Sequence, residues 1–313
     1  MKITCFATMG MVSSYFFYSC DQSATTDQIK TETKTSINVM IEPLDTVYFG
    51  FITRYNPRIM YEEYQPIMDY LSRETPYLFE IKLGKTYQDA VNYLENDIIQ
   101  IASFGAVTYV EAHSKYGAIP ILKPLNSEGE PNYRSLIVVR KDSDILNLKD
   151  LKNRTFAFAS VHSTSGNLVP RYTLAGVGLT LENLSDYKNL KHHDSVAKAV
   201  LSGEYDAGAM KDIVAYKYLE KGLRILDISD AVPSVPFVIK SDLDSTIVKY
   251  ITKALLKIDV NVPEYQTLVS NWNPEFRYGF TETQDADYQI VRDMLNAIPG
   301  SCGNTCHPGL FFK

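Results

Sequence analysis

The chain has 313 residues, 45% of them apolar and 22% charged, with a formal net charge of −6. That length buries a large core and has room for two lobes, and the acidic balance argues against a nucleic-acid binder, which carries a basic face. Any anion site must work by local hydrogen bonds against a mildly repulsive overall field; the 22 tyrosines pair apolar rings with polar tips and suit the lining of a polar cleft.

The first element is an export signal. Lys2 is the only early charge, and residues 3–19 are uncharged, apolar or small. This run is too short for a membrane-spanning helix. Phe17-Tyr18-Ser19-Cys20 resembles a bacterial lipoprotein cleavage box, with Phe17 where leucine is usual. On that reading residues 1–20 are a lipoprotein-type signal peptide and Cys20 is the lipidated residue. Ordinary signal-peptidase cleavage and an uncleaved anchor are the alternatives. A lipid on Cys20 and a flexible, threonine-rich tether over 21–36 would hold the rest on a membrane face. The protein is therefore expected in the periplasm or on the outer face of the cytoplasmic membrane.

From residue 37 short apolar runs alternate with helical patterns. Strands are predicted at 37–41, 78–83 and 97–102, with helices at 57–75, 85–94 and 106–116. This β-α-β-α rhythm points to mostly parallel pairing. Residues 118–125 and 133–140 read as extended, on either side of the turn-rich 126–131. A second alternating block follows, with strands at 155–159, 187–191, 206–210 and 224–227. Its helices are predicted at 167–175, 195–202 and 212–221. Residues 231–240 are extended and marked by prolines, and helices follow at 245–258, 263–269 and 286–297. The second block lies between two extended passages, the layout of a hinged two-lobe protein with one lobe inserted into the other. The expected fold is α/β, each lobe a mixed, mostly parallel sheet flanked by helices, joined by two crossing strands. Lobe 1 comprises 37–130 and 232–300, lobe 2 comprises 131–231, and 301–313 form a tail.

The residue pattern with most chemistry is His162-Ser163-Thr164-Ser165-Gly166, between the strand at 155–159 and the helix from 167. The first N–H groups of a helix have no internal partner, and the helix dipole puts partial positive charge there. Three hydroxyls at that point make an anion cradle. A simple N-cap is the bland alternative, but a cap needs one hydroxyl, not three. Ser103-Phe104-Gly105 repeats the strand–Ser/Gly–helix junction in the first half, where Ser103 is either a cap or a ligand donor. Two such helix starts facing one cleft would clamp a small anion from both sides.

Several stretches together resemble the phosphate/phosphonate/phosphite solute-binding proteins of ABC transporters, of the type II periplasmic fold. They are Tyr133-Arg134-Ser135-Leu136-Ile137-Val138-Val139-Arg140, Ser163-Thr164-Ser165-Gly166, His193-Asp194-Ser195-Val196-Ala197-Lys198 and Gly203-Glu204-Tyr205-Asp206-Ala207-Gly208. The similarity runs from about residue 37 to 258. It implies that Ser163, Thr164 and Ser165 hold a phosphorus oxyanion. It also implies that Tyr133 and Tyr87 line the cleft and that His193 closes on the oxyanion from the second lobe. Hydroxyls and phenols donate to oxygens without fixed charge, and a histidine donates from one or both nitrogens. Members that take aminoalkyl phosphonates place carboxylates where the amine lands. Here one such position is Val235 and the other falls near Ile213, with Asp212 one residue away, so Asp212 joins the candidate set. A ligand with little or no charged tail is expected: phosphite, phosphate or a simple phosphonate.

The implied protein is the substrate-binding component of an ABC importer, not an enzyme. Its expected partners are a permease and, through the lipid, the membrane. It is expected to be a monomer without cofactor or bound metal. A ligand-sensing subunit of a signalling system is an alternative use of the same fold. Cys302 and Cys306 read as a local disulfide in an oxidising compartment. The run Cys302 to His307 also resembles a haem-attachment motif with one residue too many, a distant alternative. No nucleophile–base pair or nucleotide fingerprint supports an enzyme.

Overall fold

The computed structural model describes residues 45–298. The signal peptide and tether expected over 1–36, the strand expected at 37–41 and the Cys302/Cys306/His307 tail lie outside the described residues. The first strand described is one the sequence pattern did not single out: β1, Thr46–Phe51, which reads TVYFGF. Its β-branched and aromatic residues favour a pleated, buried surface. It is followed by α1 (Pro57–Glu74) and β2 (Leu78–Leu83), then α2 (Tyr87–Glu95) and β3 (Ile101–Ser103). The strand expected from 97 starts at Ile101 instead. Asp97 sits at φ 57°, a left-handed turn that ends α2 and cannot continue a strand. Next come α3 (Ala106–Tyr116) and β4 (Ile119–Pro124).

A pair of short strands then crosses between the two sheets. β5 (Asn132–Tyr133) pairs antiparallel with β11 (Val232–Pro233), Val232 opposite Tyr133. Between them lie β6 (Ser135–Arg140), β7 (Thr155–Phe158), α4 (Val169–Gly176), β8 (Asp186–Asn189), α5 (His193–Leu201), β9 (Ala207–Lys211), α6 (Asp212–Leu219) and β10 (Leu223–Ile228). After the second crossing come β12 (Phe237–Ile239), α7 (Ser245–Leu255), α8 (Pro263–Val269), β13 (Phe280–Glu282) and α9 (Gln289–Ala297).

The strands form a six-stranded sheet, β13-β4-β12-β3-β1-β2, and a five-stranded sheet, β10-β6-β9-β7-β8. Both are mixed. Pairing is parallel for β1 with β2 and β3 and for β7 with β8 and β9, where helices make the crossovers. It is antiparallel wherever β6 and β12 take part. These two strands emerge directly from the crossings, so each enters the middle of its sheet without a crossover helix and runs against its neighbours. Parallel pairing is thus more restricted than the sequence rhythm suggests. Each crossing feeds straight into the centre of a sheet, which ties any movement at β5 and β11 to the cores of both lobes.

Those cores are aromatic. Phe49, Phe51, Tyr64, Phe237, Trp272 and Phe276 pack in one cluster with α1 and α7 residues. Phe156 and Phe158 anchor the second sheet with Leu174 and Leu179. Phe51 stacks on Tyr64 with ring centroids 4.4 Å apart. Each such side chain contributes about 1.5–3 kcal/mol by burial, so the strand ends that carry the site are rigidly held.

Candidate functional site

At the end of β7 the chain makes the expected turn, but with a wider first turn than an ordinary helix start. Thr164–Leu168 form one π-helical turn, with Leu168 N bonded to Ser163 O at 3.1 Å, and α4 follows directly. Ser163 is the cap: its Oγ accepts from Gly166 N at 3.1 Å. It is also 3.2 Å from Nε2 of His193. The other ring nitrogen of His193, Nδ1, accepts from the backbone N–H of Lys211 at 3.1 Å. A backbone N–H can only donate, so the proton of neutral His193 sits on Nε2 and points at Ser163. Burial lowers the His193 pKa from 6.5 to about 3, helped by the positive charges of Arg54 and Lys211. The imidazole is therefore neutral at physiological pH. With both lone pairs of Ser163 Oγ facing donors, the hydroxyl acts as a donor, and its proton faces the Tyr87 oxygen.

The next two hydroxyls complete the cluster. Thr164 Oγ1 accepts from Val107 N at 3.0 Å. Val107 lies in the first turn of α3, whose Gly105 cap offers no side chain. The unpaired start of α3 in one lobe is thus satisfied by the hydroxyl turn of the other, and the two junctions do face each other. The Tyr133 hydroxyl faces Thr164 and Ser165, and that of Tyr87 faces Ser163. Ser163, Thr164, Ser165, Tyr87, Tyr133 and His193 are all buried, none more than 7% exposed. Burial also raises the Tyr87 hydroxyl to about 12, keeping it a neutral donor. Tyr87 is held there because α2 begins at it, capped by Thr86 and Asp89 in a reciprocal box. Ser103, at the end of β3, is fully buried, and its Oγ has no partner.

Asp212 sits elsewhere in the arrangement. One carboxylate oxygen accepts from Arg134 N at 2.9 Å and the other from Ile213 N at 2.7 Å, so both are engaged beside the crossing strand. Val235 is buried in the core. His162 bridges the lobes, its Nδ1 2.9 Å from the Glu111 carboxylate. His192 Nδ1 lies 2.8 Å from Thr53 O, also across the cleft. With Val107–Thr164 these contacts define a closed conformer, and entry of any ligand to the hydroxyl cluster requires the lobes to part.

Three charged residues escaped the sequence reading. Arg54 follows β1, Lys211 ends β9, and Glu275 lies in the turn 274–276; all are at most 7% exposed. Glu275 pairs with Arg54 through one oxygen and with Lys211 through the other. Burial alone would raise the Glu275 pKa, but the two cations outweigh it and hold it below the usual range. Lys211 is the weaker partner: burial lowers its pKa against the pull of Glu275. Its Nζ lies 3.9 Å from the centre of the Tyr133 ring, a cation–π contact. The only signal for Arg54 and Lys211 was a lone cation at the carboxyl end of an apolar strand; Glu275 had none.

The fold defines a two-lobe periplasmic binding protein. A binding protein component of an ABC phosphonate transporter from Pseudomonas aeruginosa matches it with a TM-score of 0.72 at 20% identity, over 80% of this chain and 85% of that one. PhnD1 from Prochlorococcus marinus in complex with methylphosphonate matches with a TM-score of 0.71 at 22% identity, over 80% and 97% of the two chains. The model of the family of ABC transporter, phosphonate, periplasmic substrate-binding proteins matches residues 49–288, and the chain belongs to that family. The probable ABC transporter phosphite binding protein PhnD1 of P. marinus is 25% identical over 68% of this chain and 77% of its own. The phosphate-import protein PhnD of Mycolicibacterium smegmatis is 26% identical over 82% and 87%. The chain is thus a substrate-binding protein of an ABC transporter, not an enzyme. The family implies export to the periplasm and a permease partner. No helix among the described residues is long and apolar enough to cross a membrane.

Proposed function

We propose that the protein binds a phosphorus oxyanion, phosphite, phosphate or a simple phosphonate, in the cleft at Ser163-Thr164-Ser165 and delivers it to its permease. The observation that carries this is the buried hydroxyl cluster: Gly166 N and His193 Nε2 face the Ser163 oxygen, so that Ser163 acts only as a donor, and the nearby Ser103 Oγ is buried with no partner. Tyr87 and Ser103 add donors from the other lobe and Tyr133 one from the crossing strand, while neutral His193 spends its one proton on Ser163 and orients that hydroxyl. Each donor serves an anion without a competing fixed charge. Relatives named for phosphite and for phosphate, and one solved with methylphosphonate, support the ligand class. Asp212 serves this site by fixing Arg134 next to Tyr133. Residues 131–231 move as the closing lobe about β5 and β11, with 37–130 and 232–300 as the other. Cys20 carries a lipid anchor and Cys302–Cys306 a disulfide.

Isothermal titration of ligand-stripped protein against phosphite, phosphate and methylphosphonate tests the reading. Saturable one-to-one heat with at least one is expected; no heat with any of them would sink it.

A further inference from the structure

The buried charges beside the hydroxyl cluster do not balance. Among the described residues Glu275 is the sole acidic side chain that is fully buried, and it faces two buried cations, Arg54 and Lys211. His193 adds no charge, since its nearest ring partners fix it as neutral. Among the fully buried side chains two cations thus face one carboxylate, with partly buried Asp212 also acting on Lys211 and nothing comparable beside Arg54. An uncompensated buried charge is strongly unfavourable. Arg54 also keeps Nη2 buried with no partner, and Ser103 Oγ is buried with none. Arg54 lies just past the end of β1 and Ser103 ends β3, and the two strands lie side by side, with Phe51 in register with Ser103. Lys211 reaches the same place from the opposite lobe, over the ring of Tyr133, whose hydroxyl faces Thr164 and Ser165. A latch between lobes would need only the Lys211–Glu275 pair; it would not need a second cation with a spare guanidinium edge.

We infer that Arg54 and Lys211, with Ser103, form an anion subsite next to the hydroxyl triplet, and that the ligand carries a second acidic group there: a phosphonate with a carboxylate tail. A guanidinium edge matches a carboxylate in a way a lone hydroxyl cannot. An amine tail would meet two cations and is disfavoured. This rests on the proposed oxyanion reading for the phosphonate head and adds to it a preference for an acidic tail.

The test is titration of phosphonoacetate, methylphosphonate and 2-aminoethylphosphonate into wild-type protein and an Arg54→Gln variant. Phosphonoacetate is expected to bind wild type at least about tenfold tighter than methylphosphonate, and 2-aminoethylphosphonate weakest. In Arg54→Gln the first ratio is expected to shrink toward one. Methylphosphonate binding as tightly as phosphonoacetate overturns the subsite while leaving the oxyanion reading intact. Silence from all three ligands overturns both. The wild-type ratio decides even if the variant does not fold.

Discussion

At single residues, binding turns on which group donates to which. Ser163→Ala removes a hydroxyl whose oxygen already faces two donors and which therefore acts as a donor, and should cost about 1–3 kcal/mol of binding, about a five- to 150-fold rise in Kd by titration. An unchanged Kd would take Ser163 out of the site. His193 makes a separate prediction about pH. Its pKa is about 3 when folded against 6.5 for a free side chain. A folded pKa below the unfolded one means its contribution to stability is present above pH 6.5 and is lost as pH falls toward 3. The slope is at most about 1.4 kcal/mol per pH unit. Denaturant unfolding of wild type and His193→Gln across pH 3–7 should show a shallower loss in the variant; parallel curves would contradict the assignment. The triplet was legible in the sequence because three hydroxyls at a strand–helix junction are chemically unusual. Arg54, Lys211 and Glu275 were not, because a charge separated by more than 60 residues from its partner leaves no local pattern.

Among the elements, the turn after β7 is the one whose geometry the site depends on. Gly166 is required there by close approach rather than by its backbone angles. A β-carbon at 166 would lie 2.3 Å from Ala159 Cβ and 3.0 Å from His193 Cε1. Gly166→Ala should destabilise the protein by about 1–3 kcal/mol, read as a lower thermal midpoint, and should weaken oxyanion binding with it. A variant as stable and as tight-binding as wild type would show that the turn has slack. Thr164→Val keeps the shape of the turn but removes the acceptor for Val107 N. The closed conformer then leaves that N–H unpaired, and small-angle scattering of the liganded variant should show a larger radius than liganded wild type. Most helices and inner strands could be read from apolar periodicity, including α2, α3, α5 and α7. β1 and β13 were missed: β1 has too many consecutive aromatics to alternate, and β13 is only three residues long. Strand direction was also beyond the sequence, since the antiparallel entry of β6 and β12 comes from the crossings rather than from any residue pattern.

For the whole molecule, closure is held by polar contacts across a cleft: Val107 with Thr164, Glu111 with His162, Thr53 with His192 and Glu275 with Lys211. Glu275 matters most, because it pairs with both buried cations. Glu275→Gln should cost about 3–5 kcal/mol of unfolding free energy, the usual penalty for stranding a buried charge, measured by denaturant titration; a loss below about 1 kcal/mol would mean the triad is solvated. The central claim is that this cleft, at the Ser163-Thr164-Ser165 turn, is where a phosphorus oxyanion sits. A crystal structure of the protein grown with methylphosphonate tests it most directly. The phosphonate oxygens are predicted within hydrogen-bond reach, about 2.6–3.2 Å, of Ser163, Thr164 or Ser165 and of a donor from the other lobe. Phosphonate bound elsewhere, with the triplet contacting only protein, would contradict the account.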